Sequence, residues 1–343
     1  MPYLHHKLSV LHVVTDYKAG GVRFSVEDLV GSRLTQSFDF SVVLLDQAPY
    51  APEVQPDLVV FHSACSWANI PKLLSLKQLG SVIIQEHHYN EDFDKLTPSP
   101  ERFHTMLRIM YGLADHVVAI STNQGEWMLR NQLVKPHKLT VIQAAKDLDA
   151  FLAIPEPSFR WPLMLGAYGR FSPEKGFDVL IEALSSLEDL SLEVLLGGDG
   201  PEQERLTAMA QGLENVKFRG LVCDVPGFLK QCDIVVLPSR RETWGFVCME
   251  AKAAARPVVA SKVGGLSEQI VGCGLLTAPD NPRDLAESIR RLCTQDRAIL
   301  QAFGHLGRQS VQGAWERYLE QWNDLIHRLI CSRRSYRRLP QQT

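Results

Sequence analysis

The stretch "RRETWGFVCMEAKAAARPVVAS" (residues 240–261) holds two glutamates, Glu242 and Glu250, eight positions apart, with Gly245 and Phe246 between them. If a helix starts near Gly245, Glu242 lies in the loop before it and Glu250 in its second turn. Eight residues at helical rise span roughly 12 Å, a scale on which two carboxylates grip separate parts of an extended ligand. Carboxylates accept well from the paired hydroxyls of ribose or hexose. Backbone amides at Gly245 and Phe246 would add donors for phosphate or sugar oxygens. The competing reading is an amphipathic helix carrying two solvated acids, which leaves unexplained why a strand, a loop and a glycine coincide just before it.

Cations stand in a second loop. "AYGRFSPEKGFDVLIEAL" delivers Arg170 and Lys175 between an apolar run and a helix beginning near Gly176. An Arg fork and a Lys point charge beside a helix N-terminus form a clamp for a diphosphate, with no acidic metal cage required. A solvated surface loop is the alternative. "GGDGPEQERL" supplies Gly198, Asp199, Gly200 and Pro201 but lacks the G-x-G-x-x-G spacing, which disfavours NAD. In "TDYKAGGVRFSVEDLV", Gly20 and Gly21 precede a helix starting near Val22 and suit either close approach to an anion or a tight turn.

These loops need strands to present them. Short apolar runs alternate with helical patterns, the signature of parallel sheets covered by helices. In the first half the strand candidates are residues 8–14, 40–45, 57–62, 81–85 and 116–120; in the second, 163–168, 192–197, 216–220, 233–238 and 257–261. Between them "QAAKDLDAFLAIPEPSFRWP" breaks the alternation. The expected architecture is α/β, two Rossmann-like doubly wound domains facing a central cleft, with ligands at the carboxyl ends of the strands. Domain 1 spans 1–145, a connector 146–162 and domain 2 163–313. A helix over 314–330 crosses back to the first domain, and a basic tail covers 331–343.

Composition narrows the function classes. The 343 residues carry a formal net charge of −3 and no basic stripe through the body, which argues against a nucleic-acid partner. Seven scattered cysteines without CxxC spacing read as buried thiols in a reducing compartment. With no run of about 18 apolar residues, a soluble cytoplasmic protein is expected.

"GRFSPEKG", "GGDGPE", "VKFRG" and "PSRRETWGFVCMEAKAAARPVVASKVGGLSEQI" resemble the carboxyl-domain motifs of retaining glycosyltransferases of family 4, which have the GT-B fold. The resemblance covers residues 8 to 329 and is strongest over 163–277. It implies that Glu250 binds ribose hydroxyls of a nucleotide sugar and Glu242 the donor sugar. It implies too that Arg170 and Lys175 hold the diphosphate, that Gly20 or Gly21 covers it, and that the stretch from Gly220 lies along the base. In "SVIIQEHHYN", His87 stands where this family usually places an active-site histidine, with His88 the competing choice. The chain departs from the family at "VIQAAKDLDAF", where Ile-Pro-Asn-Gly is common.

The resemblance implies metal-independent transfer of a hexose-type sugar from a nucleoside diphosphate sugar, most simply a UDP-sugar, to an acceptor hydroxyl. No cofactor is implied, and cell-envelope or exported saccharide synthesis, with a lipid-linked acceptor, is the preferred setting. The rivals are a nucleotide-sugar epimerase of similar architecture and a catalytically silent GT-B-like scaffold. Arg328, Arg333, Arg334, Arg337 and Arg338 make the tail either a solvated end or a peripheral contact with anionic lipid headgroups at the inner face of a membrane.

Overall fold

The structure is a computed structural model that describes residues 7–16, 20–47 and 55–337. The chain divides into two compact units, one formed by residues 1–146 with 314–343 and the other by 147–313.

In the first unit, β1 (Leu8–Val14), β2 (Phe38–Leu44), β3 (Leu58–Phe61), β4 (Ser81–Glu86), β5 (His116–Ala119) and β6 (Leu139–Val141) form one parallel sheet in the order β2-β1-β3-β4-β5-β6. The helices α1 (Gly21–Val30), α2 (Ile70–Leu79), α3 (Pro100–Leu113) and α4 (Thr122–Arg130) connect them. β3, β4 and β5 are buried along their whole length, as expected of central strands covered on both faces. Phe61, Leu73, Met110, Tyr111 and Trp127 anchor this core.

The second unit repeats the scheme. Short α5 (Asp149–Leu152) leads into β7 (Leu163–Tyr168), β8 (Leu192–Gly197), β9 (Val216–Gly220), β10 (Ile234–Leu237), β11 (Val258–Ser261) and β12 (Gly274–Thr277), ordered β12-β11-β10-β7-β8-β9. Around them lie α6 (Phe177–Leu184), α7 (Gln203–Met209), α8 (Val225–Lys230), α9 (Phe246–Ala253), α10 (Gly264–Gln269), α11 (Pro282–Cys293) and α12 (Arg297–Val311). Counted within the unit, the strand order is 3-2-1-4-5-6, that of a dinucleotide-type doubly wound sheet. The edge strands β6 and β12 are additions to the expected set. Both are short, and "LTV" and "GLLT" offer too little apolar length to stand out.

Residues 147–162 are more than a connector. Phe159 is 1% exposed and belongs to the second core with Phe171, Phe177, Leu196 and Leu292, because this apolar ring offsets the polar composition around it. Helix α13 (Ala314–Arg337) belongs to the first unit and runs past residue 330, where the basic tail was expected to begin; residues 338–343 of that tail lie outside the described residues. Tyr318, Leu319, Trp322, Leu325, Ile326 and Ile330 are buried. Polar contacts flank this seam: Glu316 pairs with Arg33 at 2.8 Å, and His327 meets the Phe38 ring at 5.1 Å.

None of the seven cysteines is in a disulfide, and Cys223 and Cys331 are exposed while the other five are buried. No helix of the described residues is long and apolar enough to cross a membrane.

Deleting the Trp322 side chain, fully buried under the seam, should cost about 3–5 kcal/mol of first-unit stability. Chemical denaturation of Trp322→Ala checks this; a loss under about 1 kcal/mol would mean that α13 contributes little to the unit.

Candidate functional site

In the second unit the strand order reverses between β7 and β10, and ligands of open α/β sheets lie outside the carboxyl ends of the strands at such a point. The loops that leave these two strands carry Arg170, Lys175 and Glu242. They touch because residue 176 is glycine. Gly176 has φ +66°, and a Cβ there would run into the Pro238 carbonyl. The loops also share a backbone bond, Arg240 N–H to the Glu174 carbonyl at 2.9 Å.

Arg240 fastens the junction with its planar fork. It donates to both carboxylate oxygens of Asp178 at 2.9 Å, to the Pro173 carbonyl at 2.7 Å and to Asp280 at 2.7 Å. Asp178 also receives Arg205 at 3.0 Å. Burial alone would raise the Asp178 pKa, but the bonds from Arg240 and Arg205 outweigh it and hold the carboxyl down at about 2 against an ordinary 3.8. Across the braced junction Lys175 Nζ donates to Glu242 Oε2 at 2.5 Å. Burial would lower the Lys175 pKa; the Glu242 charge and hydrogen bond overcome it and raise it above the ordinary lysine value. Arg170 is exposed, and among the described residues its guanidinium has no hydrogen-bond or ion-pair partner.

Glu242 is followed by Gly245, the N-cap of α9 with φ +96°, a left-handed conformation that glycine adopts at low cost. Phe246 is the first residue of α9, and Glu250 stands in its second turn. Glu250 is 6% exposed and accepts from the Tyr168 hydroxyl at 2.6 Å. Burial, then the Glu250 charge, push the Tyr168 pKa far up, so its hydroxyl keeps the proton it donates. Tyr168 ends β7, two positions before Arg170; the sequence pattern showed it only as the end of a strand. Gly220 closes β9 with φ +65°, and its carbonyl accepts from Gly198 N–H at 2.7 Å, which holds the end of β9 beside the turn after β8. Thus Lys175 and Glu242 are in contact, Glu250 and the amides at Gly245 and Phe246 share one helix, and Arg170 follows β7 while Gly220 ends β9, with β8 between those two strands.

Gly20, Gly21 and His87 belong to the first unit. Gly20 caps α1 in an extended conformation that any residue adopts, and a Cβ there would meet nothing within 4 Å. Gly21 opens the helix. His87 follows β4 and is 7% exposed; its Nε2 lies 3.1 Å from Nδ1 of His62, which in turn has Nε2 2.8 Å from Nδ1 of His12. His88 is half-buried and donates from Nε2 to the His62 carbonyl at 3.0 Å.

The turn that bears both histidines is tied down twice. Glu86 accepts from the backbone N–H groups of His88 and Tyr89 at 2.8 and 3.2 Å and from the Tyr111 hydroxyl at 2.9 Å. The Gln124 amide donates to the carbonyls of Glu86 and Tyr89 at 3.1 and 2.6 Å. Spacing along the chain gave no sign of His12, His62 or Gln124, since each meets its partner far away in sequence. Among the described residues no group of three or more His, Cys, Asp or Glu side chains is arranged to hold a metal ion.

Two doubly wound units in series, the second with its charged loops at the switch point, have the fold of the GT-B glycosyltransferases. Residues 162–295 match the family described as Glycosyl transferases group 1. The chain is 29% identical over 211 residues to an uncharacterized glycosyltransferase of Methanocaldococcus jannaschii, a match that covers 60% of this chain and 57% of that one. It is 25% identical over 267 residues to the N,N'-diacetylbacillosaminyl-diphospho-undecaprenol alpha-1,3-N-acetylgalactosaminyltransferase of Campylobacter jejuni, covering 73% of this chain and 68% of the relative. Among solved structures, Anabaena HepE in complex with UDP superimposes with a TM-score of 0.72 at 22% identity, over 95% of this chain and 100% of that one. These similarities place the chain among proteins with the glycosyltransferase fold.

Because its folded pKa is depressed, Asp178 contributes stability that is present above pH 3.8 and lost as the pH falls through about 2. Asp178→Asn should therefore flatten the acid limb of the second unit's stability curve over that window. Urea midpoints along a pH series check this, and parallel curves for the two proteins would refute the Arg240 brace.

Proposed function

We propose that the chain is a retaining glycosyltransferase that moves a hexose-type sugar from a nucleoside diphosphate sugar to an acceptor hydroxyl without a metal ion. The observation that carries the reading is the Lys175–Glu242 pair at the switch point. An ammonium has three donors, and Glu242 takes one. Lys175 can therefore hold Glu242 and a phosphoryl oxygen together, bringing an acceptor for sugar hydroxyls beside a cation for the diphosphate. Arg170 supplies the second cation.

As the bond between the sugar's anomeric carbon and the phosphoryl oxygen breaks, its electron pair leaves with the diphosphate. The two cations and the amides at Gly245 and Phe246 face that developing charge, the kind of preorganised stabilisation that dominates many enzymatic rate enhancements. The leaving diphosphate then assists in taking the proton of the attacking hydroxyl on the same face of the sugar, with retention of configuration. Glu250 binds the ribose hydroxyls, and the Tyr168 hydroxyl keeps its carboxylate oriented. Gly20 and Gly21 serve the diphosphate, Gly220 the base, and His87 hydrogen-bonds the transferred sugar or the attacking hydroxyl.

The UDP and UDP-glucose complexes of Anabaena HepE support a uridine nucleotide. The undecaprenol-linked substrate named for the Campylobacter relative supports a lipid-linked saccharide acceptor in envelope or exported saccharide synthesis. A polar acceptor of that kind sits at a membrane surface, where the arginine-rich end of the chain would meet anionic headgroups.

A thermal-shift panel of nucleotide sugars tests the reading directly, since a ligand that binds the folded state raises its melting temperature. UDP-sugars should stabilise the protein; no response to any nucleotide sugar would sink the assignment. Replacing Arg170 or Lys175 with Ala should cut turnover by a factor of about 10² or more, and unchanged rates in both variants would contradict the diphosphate clamp. Activity should persist in EDTA. Loss restored only by Mn²⁺ or Mg²⁺ would overturn the metal-independent mechanism.

A further inference from the structure

Two side chains take up backbone polar groups of the turn that follows β4. The Glu86 carboxylate accepts the N–H groups of His88 and Tyr89 at 2.8 and 3.2 Å, and the Gln124 amide donates to the carbonyls of Glu86 and Tyr89 at 3.1 and 2.6 Å. Glu86 belongs to β4 itself. Gln124 belongs to α4, which follows the next strand, and the pairing of Glu86 with Ala119 in the β4–β5 ladder sets the two strand exits side by side. This is the carboxyl edge of a parallel sheet, the edge that meets ligand in open α/β folds.

Gln124 is 0% exposed, and each polar atom of its side chain is used. Oε1 accepts from Ile120 N–H at 2.7 Å, and Nε2 directs both hydrogens to the two turn carbonyls. The amide fits only this way round: reversed, its NH₂ would face the Ile120 N–H and its oxygen would face two carbonyls. The same residue helps to close the first turn of α4, since its backbone N–H donates to the N-cap hydroxyl of Ser121 at 3.1 Å. Ser121 and Gln124 thus stand as the first and fourth residues of a capping box, a place that Glu fills as well as Gln because its side chain need only accept. Capping α4 makes no use of the two donors. They serve the turn. One helical turn further, on the same face of α4, Trp127 Nε1 donates to Asp94 at 2.8 Å, and Asp94 also lies 2.7 Å from His104 Nε2 of α3. Both ends of segment 86–94 are therefore held by α4.

We propose that Gln124 is a positioning residue: its two amide donors fix residues 86–89 over the carboxyl edge of the first sheet, and with them the part of the first unit that meets the saccharide. That the turn meets a saccharide rests on the glycosyl-transfer reading; the hold on the turn does not.

Gln124→Glu separates the two roles, because it keeps the acceptor for Ile120 N–H and replaces two donors by an oxygen that faces two carbonyls. Hydrogen exchange of the full-length protein, resolved at the amides of His88 and Tyr89, reads the turn with no substrate present. In the wild type these amides should exchange as slowly as those of the neighbouring buried strands; exchange as fast as that of exposed loops would overturn the proposal. In Gln124→Glu they should exchange about tenfold faster or more, while the amides of α4 keep their wild-type rates. Wild-type rates at His88 and Tyr89 in that variant would make Gln124 a helix cap only. If the Glu variant does not fold, Gln124→Met decides: it has no donor and buries no charge, and it should speed the same two amides, whereas unchanged rates would refute the hold. With a nucleotide sugar and acceptor in hand, Gln124→Glu should lower turnover several-fold at unchanged nucleotide affinity, and full turnover with a loosened turn would contradict the positioning role. Absence of transfer by the wild-type protein would count against the glycosyltransferase reading alone, since exchange reports the turn independently.

Discussion

The second unit's chemistry depends on how closely two backbones can approach. The loops after β7 and β10 meet at Gly176 and Pro238, and no side chain fits between them. That contact brings Lys175 to Glu242 and lets one guanidinium, Arg240, reach both loops and α6 at once. A β-carbon at 176 would push the loops apart, and every charged contact across the junction would lengthen with them. Placement of the ions is thus a consequence of a steric fit, and the ion pairs then hold the fit in place.

The two units organise their polar residues by different means. At the switch point of the second, full charges are partly buried and paired, as with Lys175 and Glu242, whose side chains are 29% and 17% exposed. Burial there works against the lysine charge, and the Glu242 carboxylate offsets it. In the first unit the polar groups lie deeper and include neutral partners, three imidazoles in a row and the Gln124 amide bridging two carbonyls. Neutral hydrogen bonds cost less to bury than unpaired charges and fix direction as well as distance. One arrangement suits holding an anion, the other suits fixing a turn.

What the sequence made legible follows the same division. The central strands announce themselves as apolar runs, and "LMLGAY" coincides with β7 to the residue. Charged loops after strands are equally visible, because Arg170 and Lys175, and likewise Glu242 and Glu250, stand close together in the chain around glycines. The edge strands β6 and β12 were hidden by their brevity. Residues 146–162 read as a linker because their polar composition concealed one core ring, Phe159. The histidine row could not be seen at all. His12 sits within "LSVLHVV", where one polar residue in an apolar run looks like a tolerated exception, and its links join residues 50 and then 25 positions apart. Only the parallel order β1-β3-β4 brings those positions side by side.

Helix α13 completes the first unit from the far side of the second, which occupies an unbroken segment of chain between them. On the ribosome this reverses the usual order. Domains emerging from synthesis tend to fold as units, the earlier one first; here the first unit to begin is the last to be finished. Residues 147–313 can collapse around their own core while the surface that will receive Tyr318, Trp322 and Ile326 still lacks its cover. For the time needed to translate the second unit, the part of the first unit that α13 covers therefore lacks its cover.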